Sequence, residues 1–469
     1  MLFNSIDYVF FLPLLIIGYY LLPQKYRWAL LLAGSYYFYA SWKLEYIILI
    51  IFSTLIDFFC GRMMERHSAK IKRRPFLILS IVSNLGMLFL FKYWNFFSDT
   101  TNEILTSLSI NAEVPILELL LPVGISFYTF QTLSYSIDVY QGKLKAENHL
   151  GYFALYVSFF PQLVAGPIER YSRLTPQLKS TKKLHYDSIK NGLRLILFGL
   201  FVKMVIADNL GPLVDSVYET PELYNQLSIG LAMVFYSFQI YGDFFGYSLV
   251  AIGSAKLMGI DLMDNFKTPY LSKNIAEFWQ RWHISLSTWF RDYLYFPLGG
   301  NRVKKARWFL NILVVFIVSG LWHGANLTFL FWGLIFGFFY ILENLLSSKK
   351  KLNHQDSKMG VSLLYYLKTF LIVTFAWTFF RSASIAEAFE IFQYLFFGSP
   401  GNESMNLSIT IIILLSIFFI LDILLYNNRY DKWVDTKSVV VRWGTYFLLL
   451  FGVICLSGVE DVPFIYFQF

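Results

Sequence analysis

Apolar stretches approaching the length of a membrane crossing recur along this chain, divided by short polar connections. A helix needs about 20 mainly apolar residues to cross roughly 30 Å of hydrocarbon. The segments 76–97, 228–252 and 409–425 meet that need most clearly. The stretch 193–206 is shorter and carries Arg194 and Lys203 near its ends, where long basic side chains can reach toward the headgroups. Other stretches are interrupted by Gly, Pro and Ser, which a bundle tolerates when neighbours or cavity water satisfy the loosened backbone. The pattern predicts an all-α polytopic membrane protein, a single domain over 1–469, with about twelve transmembrane helices plus re-entrant and interfacial helices.

Composition agrees: 56% of residues are hydrophobic and 15% charged, against about 45–50% and about 25% in soluble domains. The net charge of +8 is concentrated in the connections, where it reads as topology rather than as a nucleic-acid surface. The basic connections 62–74, 168–190, 256–307 and 349–351 are expected on the cytoplasmic side. The acidic ones, 98–118, 208–226 and 382–408, are expected outside, which places both termini outside as well. The first apolar stretch has no basic segment before it and no small-residue cleavage site, so it is expected to stay as a span. Cys60 and Cys455 offer neither a disulfide framework nor a metal site.

Two segments, 119–142 and 151–170, are rich in Gly, Pro, Ser, Gln and Tyr. By charge the second begins and ends inside, so it is expected to be re-entrant. Irregular backbone at membrane depth occurs only where protein buries it or where it lines a cavity. The pair therefore points to an internal site. No internal repeat is visible, which disfavours an inverted-repeat transporter.

The cytoplasmic stretch 265–302 gathers Trp279, Trp282, Trp289, Arg281, Arg291 and His283, then ends on Pro297, Gly299 and Gly300. Trp with Arg suits a segment lying in the headgroup zone. Alternatively it frames a cavity mouth, with Arg281, Arg291, Arg302, Lys304 and Lys305 near a phosphorylated donor. Beyond it, 308–346 reads as an apolar hairpin broken at SGLWHGAN, with His323 at the bend, Trp322 before it and Asn326 three residues on. An ionisable ring inside a bundle is expensive and marks a functional site; kept neutral there, it has the form a general base needs. The other histidines, His67, His149, His185 and His354, lie in charged connections.

WHISLSTWFRDYLYFPLGGNR followed by SGLWHGAN resembles the signature of the membrane-bound O-acyltransferase family, in the subgroup of the alginate O-acetyltransferase membrane subunit. LPVGISFYTFQTLSYSIDVY, FFPQLVAGPIER, YSFQIYGDFFGYS, FAWTFFR and the closing FIYFQF resemble the same subgroup in the same order, so the likeness covers nearly the whole chain. The subgroup usually has Phe at Gly242, Ser at Phe245 and Asp at Leu249, departures that bear on the acceptor surface.

The resemblance implies a ring of tilted helices around a thinned centre with a channel from cytoplasm to exterior. It makes His323 the catalytic residue and His283 a second polar residue of the channel, with Asn326, Trp322, Gln239, Tyr241 and Asp243 lining or orienting. It also implies acetyl-CoA as donor substrate with no bound cofactor or metal. It further implies an extracytoplasmic esterase-like partner, a polysaccharide as final acceptor, and residence in the bacterial cytoplasmic membrane. D-alanyl transfer from a carrier protein to teichoic acid, and a non-enzymatic transporter or flippase, are the competing expectations; PLGGNR and FFPQLVAGPIER favour the acetyl branch.

Overall fold

A computed structural model describes residues 1–164, 166–347, 359–426, 428–458 and 464–465. Among the described residues the regular structure is helical, apart from one isolated bridge between Tyr224 and Glu403. Among the described residues, five helical stretches are long and apolar enough to cross a membrane: Leu44–Arg66, Lys70–Ser107, Lys305–His323, Leu327–Leu346 and Ser362–Arg381. Three shorter apolar helices are Ile6–Leu21, Ile409–Leu424 and Val439–Cys455. Helix Gln226–Leu257 is 32 residues long, but Ser, Tyr, Gln239 and Asp243 dilute its apolar content. The basic cluster 349–351 and His354 lie outside the described residues.

The helices are polar inward and apolar outward, as lipid requires. In Ile409–Leu424, Ile409, Ile413 and Ile420 are exposed while Asp422 is buried and accepts a hydrogen bond from Tyr241 Oη at 2.8 Å.

The chain forms two compact units. The first comprises Met1–Leu193 with Ala251–Met263. Its centre is a polar knot: Asp57 accepts from Ser80 Oγ, from Asn84 Nδ2 at 2.7 Å and from Ser136 Oγ at 3.0 Å. Residues 119–142 become helix Ile125–Gln141, buried on nearly every side. It starts at Gly124, whose φ of 78° and whose neighbour, Leu163 O, 2.3 Å from where a Cβ would sit, both require glycine. Residues 151–170 fold as two short helices, Leu150–Ser158 and Phe160–Leu163. Gln131 Nε2 and Gln162 Nε2 both donate to Tyr156 O, at 2.5 and 2.6 Å. The Gln and Ser content of these segments thus satisfies backbone that protein has cut off from water.

The acidic connection 98–118 is a connection only in part. Helix continues to Ser107, and the chain then runs back along it, with Asn102 Oδ1 accepting from Val114 N at 2.8 Å and Asn95 Oδ1 from Leu117 N at 2.9 Å.

The second unit comprises Arg194–Val250 with Asp264–Phe469. Here the expectation that Arg194 and Lys203 reach toward headgroups is overturned. Arg194 is buried, with Nη1 2.6 Å from Asp435 Oδ1 and Nε donating to Tyr446 Oη at 2.6 Å. Lys203 is buried and lies 2.6 Å from both Asp208 and Asp243. Carboxylates, buried for Lys203 and exposed at Asp435 for Arg194, give these charges a nearer partner than the headgroups do, a pairing invisible when the span is read alone.

Candidate active site

The hairpin of Lys305–His323 and Leu327–Ser347 carries His323 at its bend. The two helices meet backbone to backbone: a Cβ at Gly320 would lie 2.1 Å from Phe329 O, and one at Gly333 2.4 Å from Phe316 O. That contact turns His323 inward, where it is 2% exposed.

His283 reaches the same place from a different element. It precedes the short helix Ile284–Phe290 at φ 41° and ψ 55°, a left-handed conformation that costs a non-glycine residue about 1–3 kcal/mol. Asn265 holds the turn: its carbonyl accepts from Ile284 N at 2.9 Å, and its Oδ1 accepts from Ser285 Oγ at 2.6 Å. His283 is fully buried, and burial pushes its imidazole down to about 3. It is therefore neutral at any ordinary pH.

The two rings lie with centroids 6.4 Å apart. Trp322 borders both, 5.7 Å from His283 and 5.0 Å from His323. Trp332 and Phe380 close on His323 edge-on at 5.1 and 5.2 Å, and Phe244 closes on His283 at 4.7 Å. The sequence and its family resemblance bring out the two histidines and Trp322 but not Trp332, nor Trp377 stacked on it at 5.8 Å, nor Phe380. The only signal for the last two was their place in FAWTFFR.

A cavity of about 480 Å³ lies nearby; its lining includes Ile284, next to His283, but neither histidine. Trp279, Gln280, Ser287, Thr288, Arg291 and Ser319 are among its lining. Ser319 stands one helical turn before His323. Of the five basic residues expected at a donor, Arg291 alone is in this lining. Arg302, Lys304 and Lys305 are exposed. Arg281 is committed elsewhere, donating to Glu277 Oε1 at 3.0 Å, Lys267 O at 3.0 Å and Tyr426 Oη at 2.9 Å.

The remaining expected residues divide. Asn326 caps the second arm, its Oδ1 accepting from Thr328 N at 3.0 Å and its Nδ2 donating to Ala383 O at 2.7 Å. Tyr241 faces Asp422, whereas Asp243, two positions on and so on another side of the helix, faces Lys203. Gln239 shares the Asp243 side, is 6% exposed, and its Oε1 has no hydrogen-bond partner among the described residues. Among the described residues no group of His, Cys, Asp and Glu is placed to hold a metal.

Apolar spans with a buried histidine pair and a cavity nearby define a multi-pass membrane protein with a candidate internal site. The family model for membrane-bound O-acyltransferases matches residues 148–355, which include His283 and His323. The probable alginate O-acetylase of Pseudomonas aeruginosa is 38% identical over 411 residues, 87% of this chain and 77% of that protein. The peptidoglycan O-acetyltransferase of Helicobacter pylori is 35% identical over 428 residues, 84% and 79% of the two. The teichoic acid D-alanyltransferase of Bacillus subtilis is 30% identical over 314 residues, 64% and 76%. This chain belongs to the membrane-bound O-acyltransferase family and is an acyltransferase.

Proposed function

We propose that the protein moves acetyl groups from cytoplasmic acetyl-CoA to an acceptor outside the cytoplasmic membrane, through a partner protein and on to a cell-surface or secreted polysaccharide. The observation that carries this is the buried His323, 6.4 Å from His283, with a 480 Å³ cavity whose lining comes as near in sequence as Ser319, one turn before it. The volume lies in the range of about 300–1,000 Å³ usual for ligand sites. The two acetyl-transferring relatives align over more of this chain than the D-alanyltransferase does. The twelve-span count and the external termini belong to the same proposal, supported by the alternation of loop charge, and the central channel belongs to it through the family resemblance.

In this mechanism the thioester enters from the cavity with Arg291 toward its phosphates. Arg302, Lys304 and Lys305 supply a screened, longer-range attraction outside it. An imidazole nitrogen of His323 takes the proton of the acceptor hydroxyl as its oxygen attacks the acetyl carbonyl. The tetrahedral intermediate collapses, the C–S bond breaks, and the departing sulfur recovers the proton from His323 as a thiol. His283, neutral and held by its turn, orients the reacting groups, and Trp322, Trp332 and Phe380 keep water away. Asn326 supports the bend rather than the chemistry. Tyr241, Gln239 and Asp243 belong to the helix that walls the site, Gln239 with an acceptor atom to offer.

The test is acetyl transfer in reconstituted membranes with acetyl-CoA, compared with an acylated carrier protein, and donor binding measured on the same preparations. His323→Gln keeps a hydrogen-bonding group without a useful base. It should bind donor normally while losing about 10²–10⁴ in rate. Near wild-type transfer by that variant would sink the base assignment. Transfer from the carrier protein alone would sink the acetyl-CoA assignment.

A further inference from the structure

Lys203 lies in a π-helical turn, Phe201–Ala207, set into an otherwise α-helical run. In a π turn residues five apart stand over one another, which aligns Lys203 with Asp208. The ammonium lies 2.6 Å from Asp208 Oδ1 and 2.6 Å from Asp243 Oδ1 on the neighbouring helix. The two helices can approach so closely because Gly246 faces Lys203: a Cβ there would lie 2.8 Å from Lys203 N. The other oxygen of Asp243 is Oδ2. It accepts the backbone N–H of Ile465 at 2.8 Å.

That hydrogen bond holds down a residue whose neighbour backs the site. Phe464 is fully buried, stacked on Tyr247 at 4.8 Å and tilted against Phe244 at 5.6 Å. Phe244 is the ring that meets His283 edge-on at 4.7 Å. An unbroken series of contacts therefore runs from Lys203 through Asp243 and the 464–465 backbone to the His283 imidazole. Burying an ion pair contributes little net stability, because desolvation offsets the Coulomb attraction. Orientation is what such a pair supplies well, since only one placement satisfies all its partners.

We propose that Lys203 and Asp243 form a positioning pair that seats residues 464–465 behind Phe244 and His283, and that turnover depends on that seat. Lys203 fixes the Asp243 carboxylate, and the carboxylate fixes the Ile465 amide. Neither residue touches substrate. The consequence for turnover rests on the functional reading above; the seat itself does not.

The experiment uses the full-length protein in membranes, with Cys60→Ala, Cys455→Ala and Ile465→Cys providing one reporter thiol. N-ethylmaleimide labelling of that thiol reads the seat, and thioester KM and transfer turnover read the site. In the parent the thiol should be protected. Asp243→Ala should raise its labelling rate and lower turnover, each about tenfold or more, with donor KM within about twofold. The conservative change Asp243→Asn leaves Lys203 paired with Asp208 and keeps an amide oxygen for the Ile465 N–H. It should restore slow labelling and most of the turnover, a rescue that a merely misfolded protein would not give. Unchanged labelling in Asp243→Ala would overturn the seat. A labelling increase without loss of turnover would overturn its role. A parent that is protected yet transfers nothing from acetyl-CoA would instead count against the functional reading.

Discussion

His283 illustrates how a single residue can be read correctly for place and incompletely for cause. It lies in a segment dense with Trp and Arg that reads equally as a headgroup-zone helix, and only the fold shows it fully buried in a left-handed turn 6.4 Å from His323. Burial lowers its pKa from the ordinary 6.5 to about 3. The unfolded chain therefore binds a proton between those values that the folded chain refuses. This contribution to stability is complete above pH 6.5 and is lost as pH falls toward 3. Thermal unfolding in detergent at pH 7 and at pH 4.5 should show a larger acid loss for wild type than for His283→Asn, a change the left-handed backbone tolerates. Parallel losses in the two proteins would remove the burial argument. The burial of His323 was legible because it stands at the bend between two apolar arms. Asn326 and Arg281 were not, since a polar side chain's partners are set by tertiary neighbours, here Ala383 and Tyr426, that no spacing in the sequence reveals.

At the scale of elements, apolar periodicity found the long spans and missed the polar ones. The hairpin 308–346 stands out because its arms are nearly pure hydrocarbon around a bend. Helix Ile125–Gln141 did not read as a simple span, because a helix buried among protein can carry Gln, Thr and Ser on all sides when most find partners, as Gln131, Thr132, Ser134 and Ser136 do. The glycines in the hairpin carry a requirement that sequence suggests only weakly. Gly320→Ala would drive a methyl group into Phe329 O, an overpacking worth about 1–3 kcal/mol. The same strain displaces a residue one turn before His323, so turnover should fall much further than the yield of folded protein. Size-exclusion recovery and transfer rate measured together check this. Equal losses in both would make the contact structural only.

For the whole molecule, orientation is the property that loop charge addresses and helix geometry can test. The Lys70–Ser107 stretch has 38 residues, about 57 Å at 1.5 Å per residue, well beyond the roughly 30 Å of hydrocarbon. Ser68 and Ser107, both exposed, flank and end it. In a cysteine-free background, Ser68→Cys and Ser107→Cys should react with an impermeant reagent from opposite faces, Ser107→Cys from outside. Reaction from one face would dismantle the assigned topology. The first unit also closes late in sequence: Tyr8 Oη shares a hydrogen bond at 2.6 Å with Ser254 Oγ, 246 positions on, and Tyr20 Oη donates to Leu257 O at 2.8 Å. At about 5–20 residues per second the ribosome needs roughly 12–50 s to make that partner. Throughout that interval the inner face of the first helix has only its earlier-made partners, such as Phe38 and Phe160, and a stalled nascent chain shorter than this presents the membrane's quality-control proteases with an unfinished bundle.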